Sequence, residues 1–490
     1  MLLPPDLREW VPAADPARLV VELVEQLDSS SAAVNHAGTG SEQFPPPMML
    51  ALLLYSYSHG VFSSREIERS TYVDIGVRFV CGDTHPDHDT ICRFRRANRD
   101  YIAGAFRESL ALAQQAGLVA MGNIRVATDG TKIAGAASES KTMSDGEIAA
   151  ELAAIEEQET GLQATIERLL EEAEATDRAV ADKPAAVPAH LADPAERVAQ
   201  LRLAREQLRK KERRKARLEA AREALRANRA RRAAERDEMR AEIGESSYGH
   251  VPKKLRSEVD PGDKVNVSDP DSQKLKAGNS AGFVQGYNAQ ASVDTCHDGA
   301  GLILGAHVTD HCSDRQQLQA NAAELERTLG PGKVASMCAD AGYDNTYQVE
   351  KIEKRGGPEV ICIQQETRNG SGGSKGGGDE GGGEEGGGDP PGAAGGPAKG
   401  PKLSKRQKET REKRARHRDR LRQAASREQC KRRRETVEPT YGVIKEQMGF
   451  RRFRLRGRRG ADLEWRLVAF AFNVRKLARN KAWKSYLVVG

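Results

Sequence analysis

No stretch of this 490-residue sequence has membrane-spanning length; the longest apolar run, Met48 to Leu54 with Tyr55, suits a buried helix. The N-terminus, Met1 to Glu9, carries charge and proline where a secretory leader would need an apolar core. Cysteine is sparse: seven residues (81, 92, 296, 312, 338, 362 and 430), with no CxxC pair among them. That argues against a disulfide-stapled scaffold and against a zinc cluster, and leads us to expect a reduced, cytoplasmic protein. What the chain does have is displaced charge. The net charge is only +6, yet residues 401–460 hold 23 Lys/Arg against 7 Asp/Glu, a net +16, and the other 430 residues net −10. A basic block on a mildly acidic chain points to a polyanionic partner, most often nucleic acid.

The length exceeds one ordinary core, so two or three domains are expected. Residues 1–120 read as a small helical domain. Pro45-Pro46-Pro47 leads into a helix from Met48 to about Tyr57, stopped by Gly60, and Ser63-Ser64-Arg65-Glu66 is a capping-box pattern opening the next. A further helix through Ile91-Cys92-Arg93-Phe94-Arg95-Arg96 turns Ile91 and Phe94 inward and the arginines outward. Short helices ending in a basic one suggest a helix-turn-helix-like reader with Arg93, Arg95 and Arg96 toward DNA. A helical bundle with a solvated basic face fits the same pattern. His85, Asp87, His88 and Asp89 crowd a helix start, where capping explains them better than metal binding.

Asn123 to Thr128 is a short β-branched run that delivers Asp129 at its end, before Gly130-Thr131-Lys132. Ser144-Asp145-Gly146-Glu147 opens an insertion, residues 145–245, with an acidic first helix and an arginine-rich second one. Their complementary charge predicts an antiparallel helical hairpin. From about 280 the pattern turns to strands: 282–294 and 302–308 form a hairpin, a helix spans 315–329, and Val334 to Ala339 is a buried strand ending in Asp340. A helix (347–354) and a strand (359–364) complete an α/β unit with a mixed sheet, residues 121–144 plus 246–368. Residues 369–400 are a glycine-rich linker by composition. Residues 401–490 add the basic segment, a glutamate-bearing helix and a last helix from Asp462 to about Ala478.

In the stretch from Arg434 to Lys445, Pro439 fits a helix only near its first turn, which puts Glu438 at a helix N-terminus. Arg434 precedes Glu438 by four residues and Lys445 follows it by seven, on one face. By itself this is a solvated helix with one ion pair. Together with Asp129 and Asp340, Glu438 makes a possible set of oxygen ligands. Carboxylates at strand ends beside one flanking helix could hold two divalent metals for phosphodiester chemistry.

Five segments in this order carry a resemblance: the N-terminal helices through Phe94-Arg95-Arg96; Ala127 to Lys132; Gln285-Gly286-Tyr287-Asn288-Ala289-Gln290; Ala339-Asp340-Ala341-Gly342-Tyr343; and Val437-Glu438-Pro439 with Gly449-Phe450-Arg451-Arg452-Phe453. The chain resembles the DDE-type transposases of bacterial insertion sequences. That resemblance implies a ribonuclease-H-like core, with Asp129, Asp340 and Glu438 as catalytic metal ligands. It implies two Mg2+ ions, or Mn2+ in their place, and double-stranded DNA as partner: transposon terminal inverted repeats and target DNA, bound by a homodimer. Many members carry a Tyr-x2-Arg-x3-Glu-x6-Lys signature; Arg434, Glu438 and Lys445 meet it, but Lys431 stands at the tyrosine position. The basic side chains Arg434, Lys445, Arg451, Arg452, Arg454 and Arg456 are then expected at DNA, and Asp344 and Glu435 are set aside. Two other readings stay open, a catalytically inactive DNA-binding remnant and a related nuclease that only cleaves.

Overall fold

The computed structural model describes residues 6–34, 43–182, 194–243, 257–276, 282–296, 301–362 and 405–489; the glycine-rich segment 369–400 lies outside them. Seven helices come first: α1 (Leu7–Trp10), α2 (Pro16–Glu25), α3 (Pro46–Ser58), α4 (Ser64–Val73), α5 (Ile75–Val80), α6 (His88–Ala97) and α7 (Arg99–Gln115). α3 is apolar all round and buried from Met49 to Ser58, as a central helix must be. Asp87 caps α6 by accepting from the Thr90 amide, the role expected of that acidic cluster. The Ser63 side chain makes no such bond, so the expected capping box does not form there.

One expectation for α6 fails. Arg95 does not face outward: it is buried, donating to the Tyr57 hydroxyl at 2.7 Å and the Phe62 carbonyl at 3.3 Å. It follows Ile91 by four residues, so it shares the helix face that Ile91 turns into the core. Arg93 and Arg96 are exposed.

The main sheet contains β1 (Ile124–Ala134), β4 (Gln273–Lys276), β5 (Phe283–Asp294), β6 (Ile303–Thr309), β7 (Val334–Ala339) and β8 (Glu359–Cys362); a short pair, β2 (Thr142–Ser144) with β3 (Lys264–Asn266), stands apart. β5 pairs antiparallel with β1 on one edge, and β4 and β6 share its other edge. β7 and β8 then extend the sheet parallel to β1. The sheet is therefore mixed, with three antiparallel strands leading into three parallel ones.

The C-terminal part adds α12 (Lys405–Arg422), α13 (Ala424–Gly442), α14 (Arg458–Leu477) and α15 (Lys481–Val489), while α10 (Leu318–Leu329) and α11 (Thr346–Lys354) connect the later strands. α10 and α13 mark opposite faces of the sheet. Thr128 bonds Ser292 across the β1/β5 pair, and Gln290, two residues away on the same face, is bonded by Asn321 of α10. Asp129 faces the other way, where Arg433 of α13 reaches it. α14 packs on β6 and on α3, so the N-terminal helices and the sheet share one hydrophobic cluster. Phe62 meets Phe450 edge-on with ring centroids 5.0 Å apart, and Phe106 meets Phe470 at 5.7 Å.

Between β2 and β3 the chain projects α8 (Asp145–Asp182) and α9 (Pro194–Ile243) as the predicted antiparallel hairpin. The capping box at its start does form: Ser144 Oγ accepts from the Glu147 amide, and the Glu147 carboxylate accepts from the Ser144 amide. Acidic and basic arms pair as their composition requires, Glu151 with Arg214, Glu156 and Glu159 with Lys215, and Asp145 with Arg222. Ile148, Ile155, Leu218 and Leu225 form a satellite core with Val265 and Val267 at the base. No helix among the described residues is long and apolar enough to cross a membrane.

Candidate active site

β1 does not stop at Asp129. Thr131, Lys132 and Ile133 continue the strand to Ala134, so Asp129 stands in mid-strand, with Ile133 buried beyond it. Asp340 does follow a strand end, directly after β7, and caps a one-turn 3-10 helix over Ala341–Tyr343. Parallel register pairs Ala127 with Cys338, so Asp129 and Asp340, each two residues further on, lie level on neighbouring strands. Alternation turns both to the face that α13 covers.

α13 is held there by polar contacts one turn apart. Gln429 donates to the Val126 carbonyl and accepts from Ser336 Oγ at 2.8 Å. Arg433 then donates to Asp129 Oδ2 at 3.2 Å, and its other terminal nitrogen lies 3.9 Å from Asp340 Oδ2. Val437 continues the buried stripe, and the Tyr441 hydroxyl donates to the Asp129 carbonyl. Burial raises the Asp129 carboxyl to about 6; the charges of Asp340 and Asp314 add to this, while Arg433 and the Gly130 amide oppose it.

The expected helix start at Glu438 is overturned. α13 begins at Ala424, and Pro439 lies inside it, near its C-terminal end. Contacts of Gln429 and Arg433 with the sheet order the preceding turns, and they outweigh the local cost of proline. Beyond Pro439 the helix loosens into a π-turn over Val443–Gln447, closed by the Met448 amide on the Val443 carbonyl at 2.9 Å. Glu438 is exposed, as are Arg434 and Glu435. Among the described residues no group of three or more His, Cys, Asp or Glu could hold a metal ion. The fold thus brings Asp129 and Asp340 together around Arg433 and leaves Glu438 on the solvent side of the same helix.

The donor chemistry of the aspartate pair suits a hard divalent cation: two carboxylates, one pushed up by burial and by its neighbour's charge. Lys445 is half-buried in the π-turn, and burial lowers its pKa, with Arg451 and Lys132 adding to the effect. Arg451, Arg452, Arg454 and Arg456 are exposed along one extended segment. Arg454 and Arg456 line an open groove of about 540 Å³ opposite Arg96 and Arg99 of the N-terminal helices. The buried Glu464 carboxylate fixes that segment by accepting from the amides of Arg454 and Leu455.

Three contributors escape a reading of the sequence. Arg433 is one of four consecutive basic residues; the signal for its burial is Val437 and Tyr441, four and eight positions on. Gln290 accepts from Asn321 and Tyr343 and donates to Asn288 and Asp314, tying β5 to the turn that follows Asp340. Asp314 also pairs with Lys132 at 3.1 Å.

Residues 5–97 match the family model described as Transposase domain (DUF772), and residues 260–474 match the one described as Transposase DDE domain. No curated protein and no solved structure matches the chain. The second match contains Asp340 and Glu438; Asp129 lies ahead of it, across the hairpin, and is joined to it by the β1/β7 pairing. With two transposase domains in succession and the acidic pair on adjacent strands of the sheet, the chain belongs to the DDE-type transposases.

Proposed function

We propose that this transposase binds double-stranded DNA at the terminal inverted repeats of an insertion sequence and catalyses metal-dependent strand cleavage and strand transfer. The observation carrying this is the level pair Asp129 and Asp340 beneath α13, with a cation, Arg433, already between them. Asp129 and Asp340 would hold two Mg2+ ions, with Mn2+ as substitute, on a ribonuclease-H-like core, and Glu438 would have to turn in from the solvent side of α13 to join them as the third ligand. Bound divalent ions supply an activated attacking oxygen and a stabilised leaving oxygen in phosphodiester chemistry.

The chain's own residues do the rest. β1 and β7 set the spacing of the two aspartates, and the Gly130 and Gly342 amides orient one oxygen of each, at 2.8 and 2.9 Å. Arg93, Arg96, Arg434, Lys445, Arg451, Arg452, Arg454 and Arg456 would meet DNA phosphates. Arg95 leaves that set because it is buried. A homodimer would hold the two ends.

The test is cleavage and joining of end-containing duplexes in Mg2+ or Mn2+, comparing the intact chain with Asp129→Asn, Asp340→Asn and Glu438→Gln. Loss of both steps in all three variants, with DNA binding retained, is the expected result. The exposed position of Glu438 is what favours the second reading, a DNA-binding remnant without catalysis. Binding without cleavage by the unmodified chain would establish that one. Cleavage without strand transfer would mark a nuclease only.

A further inference from the structure

Each aspartate of the pair uses its two oxygens differently. Oδ1 of Asp129 accepts from the Gly130 amide at 2.8 Å, and Oδ1 of Asp340 accepts from the Gly342 amide at 2.9 Å. Those bonds are local, within the strand for Asp129 and within the one-turn helix for Asp340, and they leave Oδ2 of each residue outside them. The same two Oδ2 atoms face Arg433, at 3.2 Å from Nη1 and 3.9 Å from Nη2. A guanidinium cannot be deprotonated in a protein, so this is a permanent charge on the pair. The Arg433 side chain is 9% exposed, and its Nε is buried with no hydrogen-bond partner among the described residues. It is thus anchored mainly through the two carboxylates themselves.

Resting on the metal-site reading above, we infer that Arg433 is a positioning residue that occupies the cation place between Asp129 and Asp340, so that a divalent ion can bridge the pair only by displacing its guanidinium. A divalent ion needs carboxylate oxygens near 2.1 Å and cannot share both Oδ2 atoms with a guanidinium at hydrogen-bond distance. Its arrival also sets two cations within a few ångström of each other, in a site screened less than bulk water. Arg433 therefore keeps the acidic pair together before metal loading and sets a threshold for loading. It is the basic side chain on the buried stripe of α13, not the exposed Arg434 that meets the signature spacing.

The experiment is a Mn2+ titration of the full-length protein without DNA, followed by calorimetry and by the electron paramagnetic resonance signal of free Mn2+. Arg433→Gln should bind Mn2+ about tenfold more tightly or better, because the competing charge is gone. Its melting point in EDTA should fall, and Mn2+ should restore more stability to it than to the unmodified chain. Arg433→Lys keeps the charge but cannot reach both carboxylates, so its affinity should lie between the two; it also serves if the glutamine variant does not fold. Unchanged or weaker Mn2+ affinity in a folded Arg433 variant overturns the inference. Asp129→Asn separates this from the reading it rests on. If that variant binds Mn2+ as the unmodified chain does, the metal site and the Arg433 inference fall together. If it loses binding while the Arg433 variants do not gain it, only the inference about Arg433 falls.

Discussion

Glu464 offers a sharp test of how the arginine-bearing segment is held. Its carboxylate is fully buried on α14, one oxygen accepts the amides of Arg454 and Leu455, and the other has no partner among the described residues. Burial raises its pKa from the ordinary 4.5 to about 7, opposed by the two amide bonds and by the charges of Arg95 and Arg454. An acid raised in the folded state binds its proton more tightly there than in the unfolded chain. Its contribution is therefore complete below the unfolded value and is lost as pH rises through the folded one. Between about pH 5 and about pH 8 that loss is on the order of 2–3 kcal/mol at most. Glu464→Gln keeps the size and the accepting oxygen but cannot ionise. Relative to the unmodified protein, the variant should be equal or slightly less stable at about pH 5 and more stable by on the order of 2 kcal/mol at about pH 8. Urea unfolding followed by tryptophan fluorescence reads this directly, since buried Trp465 is the next residue. An offset between the two proteins that is the same at both pH values would show that Glu464 does not change protonation in that window, and the reasoning would fail.

Other consequences are open to simpler measurements. A Cβ placed on Gly286 would lie 2.1 Å from the Ile133 carbonyl oxygen, so Gly286→Ala should force β5 from β1 and cost at least the upper end of ~1–3 kcal/mol; an unchanged melting point would contradict that register. Leu218 is fully buried between the hairpin arms and their base, and Leu218→Ala should cost about 3 kcal/mol, read as faster amide exchange confined to α8 and α9; exchange unaltered there would mean that the cluster does not hold the hairpin. Changing Arg451, Arg452, Arg454 and Arg456 together to Ala should reduce the slope of log K against log salt for DNA by about 0.9 per phosphate contact removed, and an unaltered slope would mean that these side chains face something else.

Periodicity, capping chemistry and charge, taken along the chain, were enough for much of this molecule. The apolar helix at Met48, the capping box at Ser144, the paired charges of the hairpin arms and the strand ending at Asp340 are all local signals. Each depends on residues within a few positions or on a simple excess of one charge, and each appears in the fold. The order of the short segments likewise pointed to the transposase family that the two domain matches support.

Where local rules failed, a distant contact had decided the matter. Proline made Glu438 read as a helix start, yet α13 was already ordered upstream by Gln429 and Arg433 bonding to β1 and β7, some 90 to 300 residues away in sequence. Arg95 read as a surface arginine, but Tyr57 and Phe62 supply acceptors that make its burial tolerable. Asp129 read as the end of a strand because glycine follows it, while pairing with β5 carries β1 on to Ala134. Composition and spacing were enough to place most of the elements, and the resemblance to the family singled out three carboxylates. Only the tertiary structure decided that Asp129 and Asp340 stand level and that Arg433, not its exposed neighbour, lies between them, because strand register and the buried stripe of a helix are set by partners that no local window contains.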